Sequence, residues 1–109
     1  MAQSLEEKRL ELHEKLCELL GSREVYFQPP ETVKMSYPSI VYDLTRTNQR
    51  FGDDCGYHRF PGYTITVIER SADVDWINRM LDAFPSYCSF ERTFIAEHLV
   101  HYVFILYYL

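Results

Sequence analysis

The sequence predicts an α+β domain: a five-stranded, mainly antiparallel sheet with two helices packed on one face, in the order α-β-β-β-α-β-β. Three observations predict it. Apolar residues recur at helical spacing in two stretches, each closed by its own start and stop residues. Elsewhere the chain alternates, or runs apolar, over strand lengths broken by Gly, Pro and Asp. Two short helices cannot bury their stripes on each other and also cover five strands, so both must lie side by side on the sheet.

Residues 4–20 read as the first helix. Ser4 and Glu7 have capping-box spacing, Leu5, Leu12, Leu16 and Leu19 share a stripe flanked by Cys17 and Leu20, and Gly21 is the stop. Val25 to Gln28 is a short strand, ended by Pro29-Pro30 because two consecutive residues lack an N–H. A stiff extended connection should follow up to Tyr37, with Pro38 keeping its neighbour extended. From Ser39, Ile40, Tyr42 and Leu44 alternate with Val41, Asp43, Thr45 and Thr47. Tyr63 to Glu69 alternates in the same way. The turn signals Gly52-Asp53-Asp54 and Pro61-Gly62 lie between them, so the two strands form a long hairpin whose tip falls near residues 50–60.

The second helix is expected over 73–84, with Asp73 as N-cap and Pro85 as stop. Ile77, Met80, Leu81 and Phe84 form its stripe, and Asp75 and Arg79 are spaced to pair on its outer face. Cys88 to Ile95 alternates once more, and Val100 to Leu109 is apolar on both faces.

At 109 residues the chain is read as one domain, 1–109. A net charge of −5 argues against a binder that gains its affinity by neutralising phosphates, although Arg46 and Arg50 form a local basic pair. No apolar run approaches the ~18 residues of a membrane span, and the acidic start (Glu6, Glu7, Glu11) lacks a signal-peptide pattern. Three widely spaced cysteines, Cys17, Cys55 and Cys88, make no disulfide framework and suit a reducing cytoplasm. Aromatic residues reach 16%, nine of them Tyr, a composition found both in small cores and at contact surfaces.

No catalytic constellation stands out. Cys55-x-x-His58 and His98-x-x-His101 have spacings that zinc sites use, but strand periodicity sends His98 and His101 to opposite faces, and ordinary surface histidines explain them. Asp53-Asp54 reads as a solvated turn, Asp43 and Glu91 as outward acids unless their strands are neighbours, and Cys17 as a small core residue. No nucleophile elbow, dinucleotide fingerprint or P-loop is present. No cofactor and no metal are expected.

The ordered combination 25-VYFQPP-30, 37-YPSIVYDL-44, 63-YTITVIER-70 and 88-CSFERTFIAEHLVHYVFILYY-108 resembles the tail-terminator (tail-completion) proteins of long-tailed bacteriophages across nearly the whole chain. The last element carries His101-Tyr102 where that family more usually has His-Asp. The resemblance implies a structural virion protein and no reaction. It implies a homo-hexameric ring at the head-proximal end of the tail tube, touching the tail tube protein and the head–tail connector protein. DNA would pass through the lumen without specific binding, and no membrane would be involved. The resemblance places the protein in the virion tail or neck, after assembly in the host cytoplasm. A head-completion or stopper ring is the nearest alternative reading, and a small metal-dependent enzyme is one from a different class.

Two surfaces are the candidate contacts with sister subunits or the tail tube. One is the hairpin segment, with Arg46, Arg50, Phe51, Asp53, Asp54, Tyr57, His58 and Arg59, expected to be mobile when free and ordered on a neighbour. The other is the last strand, where Val103, Ile105 and Tyr107 alternate with Tyr102, Phe104 and Leu106. Only one set can face the helices; the other should be covered by a neighbour.

Overall fold

The computed structural model describes residues 4–29, 34–52, 56–85 and 88–108, with backbone only at 5 and 45–61. The elements are α1 (Leu5–Leu20), β1 (Val25–Phe27), β2 (Ser39–Gly52), β3 (Gly56–Glu69), α2 (Asp75–Ala83), β4 (Cys88–Ala96) and β5 (Leu99–Tyr107). The five strands form one sheet in the order β1-β2-β3-β5-β4. All pairings are antiparallel except β1 with β2, which is parallel.

α1 begins and ends as its sequence predicts. The Glu7 N–H donates to the Ser4 hydroxyl oxygen at 3.1 Å, and the Ser4 hydroxyl donates to the Glu7 carboxylate at 3.2 Å. Gly21 takes the left-handed conformation at φ 83° and its N–H donates to the Cys17 carbonyl, satisfying one of the helix's last free acceptors. Leu12, Leu16 and Cys17 are buried in the core.

α2 is shorter than expected. The helix starts at Asp75, with Val74 in the cap position, yet Asp73 still caps it: its carboxylate accepts from the Asp75 N–H at 3.1 Å. The predicted Asp75–Arg79 pair is replaced. Arg79 reaches back to Asp73 at 3.1 Å and lies over the Trp76 ring, 4.4 Å from its centroid. A guanidinium gains from a ring face as well as from a carboxylate, and this position offers both. Met80 and Phe84 are buried as expected, while Ile77 and Leu81 are half-buried. Trp76, only 2% exposed, is the other main anchor of the helix.

The helix-facing side of the sheet carries Val25 and Phe27 from β1, Ile40 and Tyr42 from β2, Tyr63, Ile65 and Val67 from β3, and Tyr102, Phe104 and Leu106 from β5. With the stripes of both helices these make one core cluster. Both helices therefore sit on the same face, and burying that face drives the fold.

A polar seam also ties α1 to the sheet. The Tyr42 hydroxyl accepts from Arg9 Nη1 at 3.1 Å and lies 2.7 Å from His13 Nδ1. Burial pushes the Tyr42 phenol up, so it keeps its proton, and with the imidazole protonated on Nε2 it donates that proton to His13 Nδ1. That requires a neutral imidazole. Burial first, and then the charge of Arg9, hold His13 below the ordinary 6.5. The unfolded chain therefore binds the extra proton between the folded value and 6.5. The stabilisation is complete above 6.5 and is lost as pH falls through the folded value. The thermal midpoint should drop between pH 7.5 and 5.5, and less so in His13→Gln, which still accepts from Tyr42 but does not titrate. Parallel pH curves for the two proteins would show that His13 is uncoupled from folding.

The hairpin departs from expectation. The hairpin strands are longer than the alternation suggests: β2 and β3 stay paired from Ser39↔Ile68 out to Gly52↔Gly56, so the tip falls within 50–60 as expected while most of that segment is strand. Pro61 and Gly62, read as a turn, are ladder positions opposite Thr47 and Arg46. A register shift between Leu44 and Arg46 marks a bulge at the base. β5 accompanies β3 only as far as Gly62, and β1 accompanies β2 only over Ile40–Tyr42. Beyond those points 46–52 and 56–61 run on as a two-stranded arm. The molecule is accordingly elongated, 50 × 24 × 23 Å, with a radius of gyration of 14.8 Å, against about 13 Å for a compact chain of this length.

Candidate functional site

The two predicted contact surfaces lie in different parts of the fold. Tyr102, Phe104 and Leu106 face the helices and are buried, which turns Val103, Ile105 and Tyr107 to the opposite side of the sheet. No helix or strand among the described residues lies over that side. Val103 is nevertheless 7% exposed, flanked by Thr66 on β3 and Arg92 on β4, while Ile105 and Tyr107 are half-buried. Across this outer face run Val41–Thr66–Val103, Asp43–Thr64–Ile105 and Ile68–His101–Phe94. Apolar and hydroxyl side chains thus share the centre of the sheet.

Arg46, Arg50, Phe51, Tyr57, His58 and Arg59 belong to the paired strands of the arm, where only backbone is described; Asp53 and Asp54 lie outside the described residues. The arm and the outer sheet face meet at one row, where Gly62 pairs with Arg46 on one side and with Tyr107 on the other.

A second register shift, between Phe90 and Arg92, changes the reading of β4. Strict alternation places Glu91 and Thr93 together on the polar side. With Glu91 bulged, Thr93 pairs with Tyr102 and turns to the helix side, whereas Phe94 pairs with His101 on the outer side. The Phe94 and His101 rings stack at 4.6 Å with only 10° between their planes, and Arg92 lies 5.4 Å from the Phe94 centroid. The grouping of Arg92 and Phe94 with His101 escaped the sequence reading, which weighed His101 only as a metal ligand, because a bulge leaves no mark in the hydrophobic pattern.

The chemical candidates do not converge. Cys55 lies outside the described residues, and His98 sits in the tight β4–β5 turn, exposed at φ 65° beside Glu97 at φ 52°. His101 donates from Nδ1 to the Leu99 carbonyl at 3.1 Å. Asp43 and Glu91 stand on strands separated by β3 and β5, so they form no pair. Cys17 is buried in the core, and burial pushes the Cys88 thiol up to about 11. Among the described residues no group of three or more His, Cys, Asp or Glu side chains could hold a metal ion, and no helix is long and apolar enough to cross a membrane. Compared with known proteins, the chain matches no family model and no curated protein sequence.

Proposed function

We propose that the chain is a structural virion subunit and not an enzyme: six copies form a ring that ends a bacteriophage tail tube and joins it to the neck. Its partners are further copies of itself, the tail tube protein and the head–tail connector protein, with DNA passing through the lumen. The observation that best supports this reading is the lopsided layering. Both helices cover one face of the sheet, while the other face keeps Ile105 and Tyr107 half-exposed next to a projecting arm. A part built to be covered by neighbours leaves such surfaces open on its own. The order of motifs along the chain supports the same reading.

Purified protein added to growing tail tubes should cap one end of each tube with a six-fold ring and stop elongation, as seen by electron microscopy and native mass spectrometry. Uncapped tubes, or a stable monomer carrying stoichiometric zinc, would overturn the proposal. Charge sets a condition on free ring formation. Each copy carries −5, and at ~0.15 M salt the screening length is about 8 Å. Mutual repulsion should therefore keep the protein monomeric in dilute buffer, and rings should appear as salt rises. Light scattering across a salt series checks this, and rings most stable at the lowest salt would contradict it.

A further inference from the structure

The β4 edge and the arm are two strand surfaces that the sheet leaves open. β4 ends the sheet, so one of its edges pairs with β5 and the other faces no strand among the described residues. Glu91 to Ile95 are all exposed along it. Of the five large apolar side chains exposed among the described residues, three lie here: Val74 at 68%, Phe94 at 38% and Ile95 at 74%. Between α2 and this edge Val74 and Ile95 border a depression of about 430 Å³, lined also by Val100 and Tyr102, with Phe94 stacked on His101 on the far face. A bare strand edge beside an apolar hollow is a template for an added strand.

The arm offers the complement. Among the described residues its backbone is paired only within the hairpin, leaving an open edge of seven residues on 46–52 and of six on 56–61, against nine residues of β4. Charge decides which surfaces can meet. The arm's paired stretches carry three arginines (Arg46, Arg50, Arg59) and no acid, with Asp53 and Asp54 between them in sequence. The remainder of the chain has eight basic side chains against fourteen acidic ones, a net of −6. Around the β4 edge, Asp73, Asp75, Glu91 and Glu97 outnumber Arg79 and Arg92. At contact range the arginine-bearing strands suit the acidic surround of β4, while the net −5 of each whole copy sets the longer-range repulsion that salt screens.

We propose that the occupant of the β4 edge is a second copy of this chain: the arm of one subunit adds as a strand to β4 of the next, beside the hollow at Val74 and Ile95. The two surfaces differ, so the contact is head-to-tail. Such contacts generate rings when the rotation closes and filaments when it does not. The inference deepens the ring reading and rests on it for the number of copies.

Two variants test it. Ile95→Lys changes a side chain that is 74% exposed, so the fold should survive, as circular dichroism would verify. Arg50→Glu/Arg59→Glu reverses charge on the arm. Each alone should remain monomeric in sedimentation velocity at ~0.15 M salt, where the unaltered chain assembles. A 1:1 mixture should give dimers and stop there, because one intact arm still meets one intact edge. Amides between Glu91 and Ile95 should also gain hydrogen-exchange protection on assembly. Hexamers that form undisturbed by either variant would overturn this contact and leave the ring reading standing. Open chains lost in both variants would support the contact and remove the hexamer. A chain that stays monomeric throughout would overturn the contact, and tube capping would still judge the ring.

Discussion

Phe104→Ala should destabilise the domain by about 3–5 kcal/mol, the usual cost of emptying a fully buried aromatic site. Phe104 is 0% exposed in the middle of the helix-facing side. Its cross-strand partners are Ile65 on β3 and Phe90 on β4, and the Phe90 ring lies 5.5 Å away. The backbone on both sides is held by hydrogen-bonded strands, so little collapse into the cavity is available. Domains of this size have about 5–15 kcal/mol in total, so the loss is a large share. Urea unfolding gives the number directly, and a cost below about 1 kcal/mol would show that the core tolerates the void. Ile105→Ala is the control: next in sequence but half-buried on the outer face, it should cost the monomer far less and act on assembly.

Replacing 47–61 with Asn-Gly should abolish assembly while leaving the body folded. The junction falls at the Arg46↔Gly62 pair, where a two-residue turn of that composition closes an antiparallel hairpin. Every residue of the described core cluster lies outside the deleted stretch, so the unfolding free energy of the body should change by about 1 kcal/mol or less. Loss of ring formation and tube capping together, with the fold intact by circular dichroism, is the expected result. An armless protein that still completes tails would reduce the arm to a connector.

Much of this architecture is legible from residues. Ser4 and Gly21 announce the ends of α1 because each supplies a group or a conformation that few other residues can. Period-two alternation sorts Ile40, Tyr42, Ile65 and Val67 onto one face correctly. The failures share a cause, which is that pairing is not local. Pro61 and Gly62 look like punctuation, yet a strand with one open edge can hold a proline whose missing N–H no partner needs. The three-residue β1 pairs parallel to β2 through contacts invisible in its own sequence. The β4 bulge moves Thr93 to the opposite face without changing the spacing of apolar residues. Arg79 chose Asp73 over Asp75 because the ring of Trp76 lay along that path.

The bulge at the base of the arm has a mechanical consequence. Seven residues of β2 beyond it make a lever about 24 Å long at strand rise, so a turn of about 5° at the fulcrum moves the far end by about 2 Å. Errors of that size exceed the tolerance of a hydrogen bond. Substitutions at Leu44, on the body side of the bulge, should therefore change the pitch and closure of an assembly more than its strength. The hinge of the lever sets the gauge of whatever is built from it.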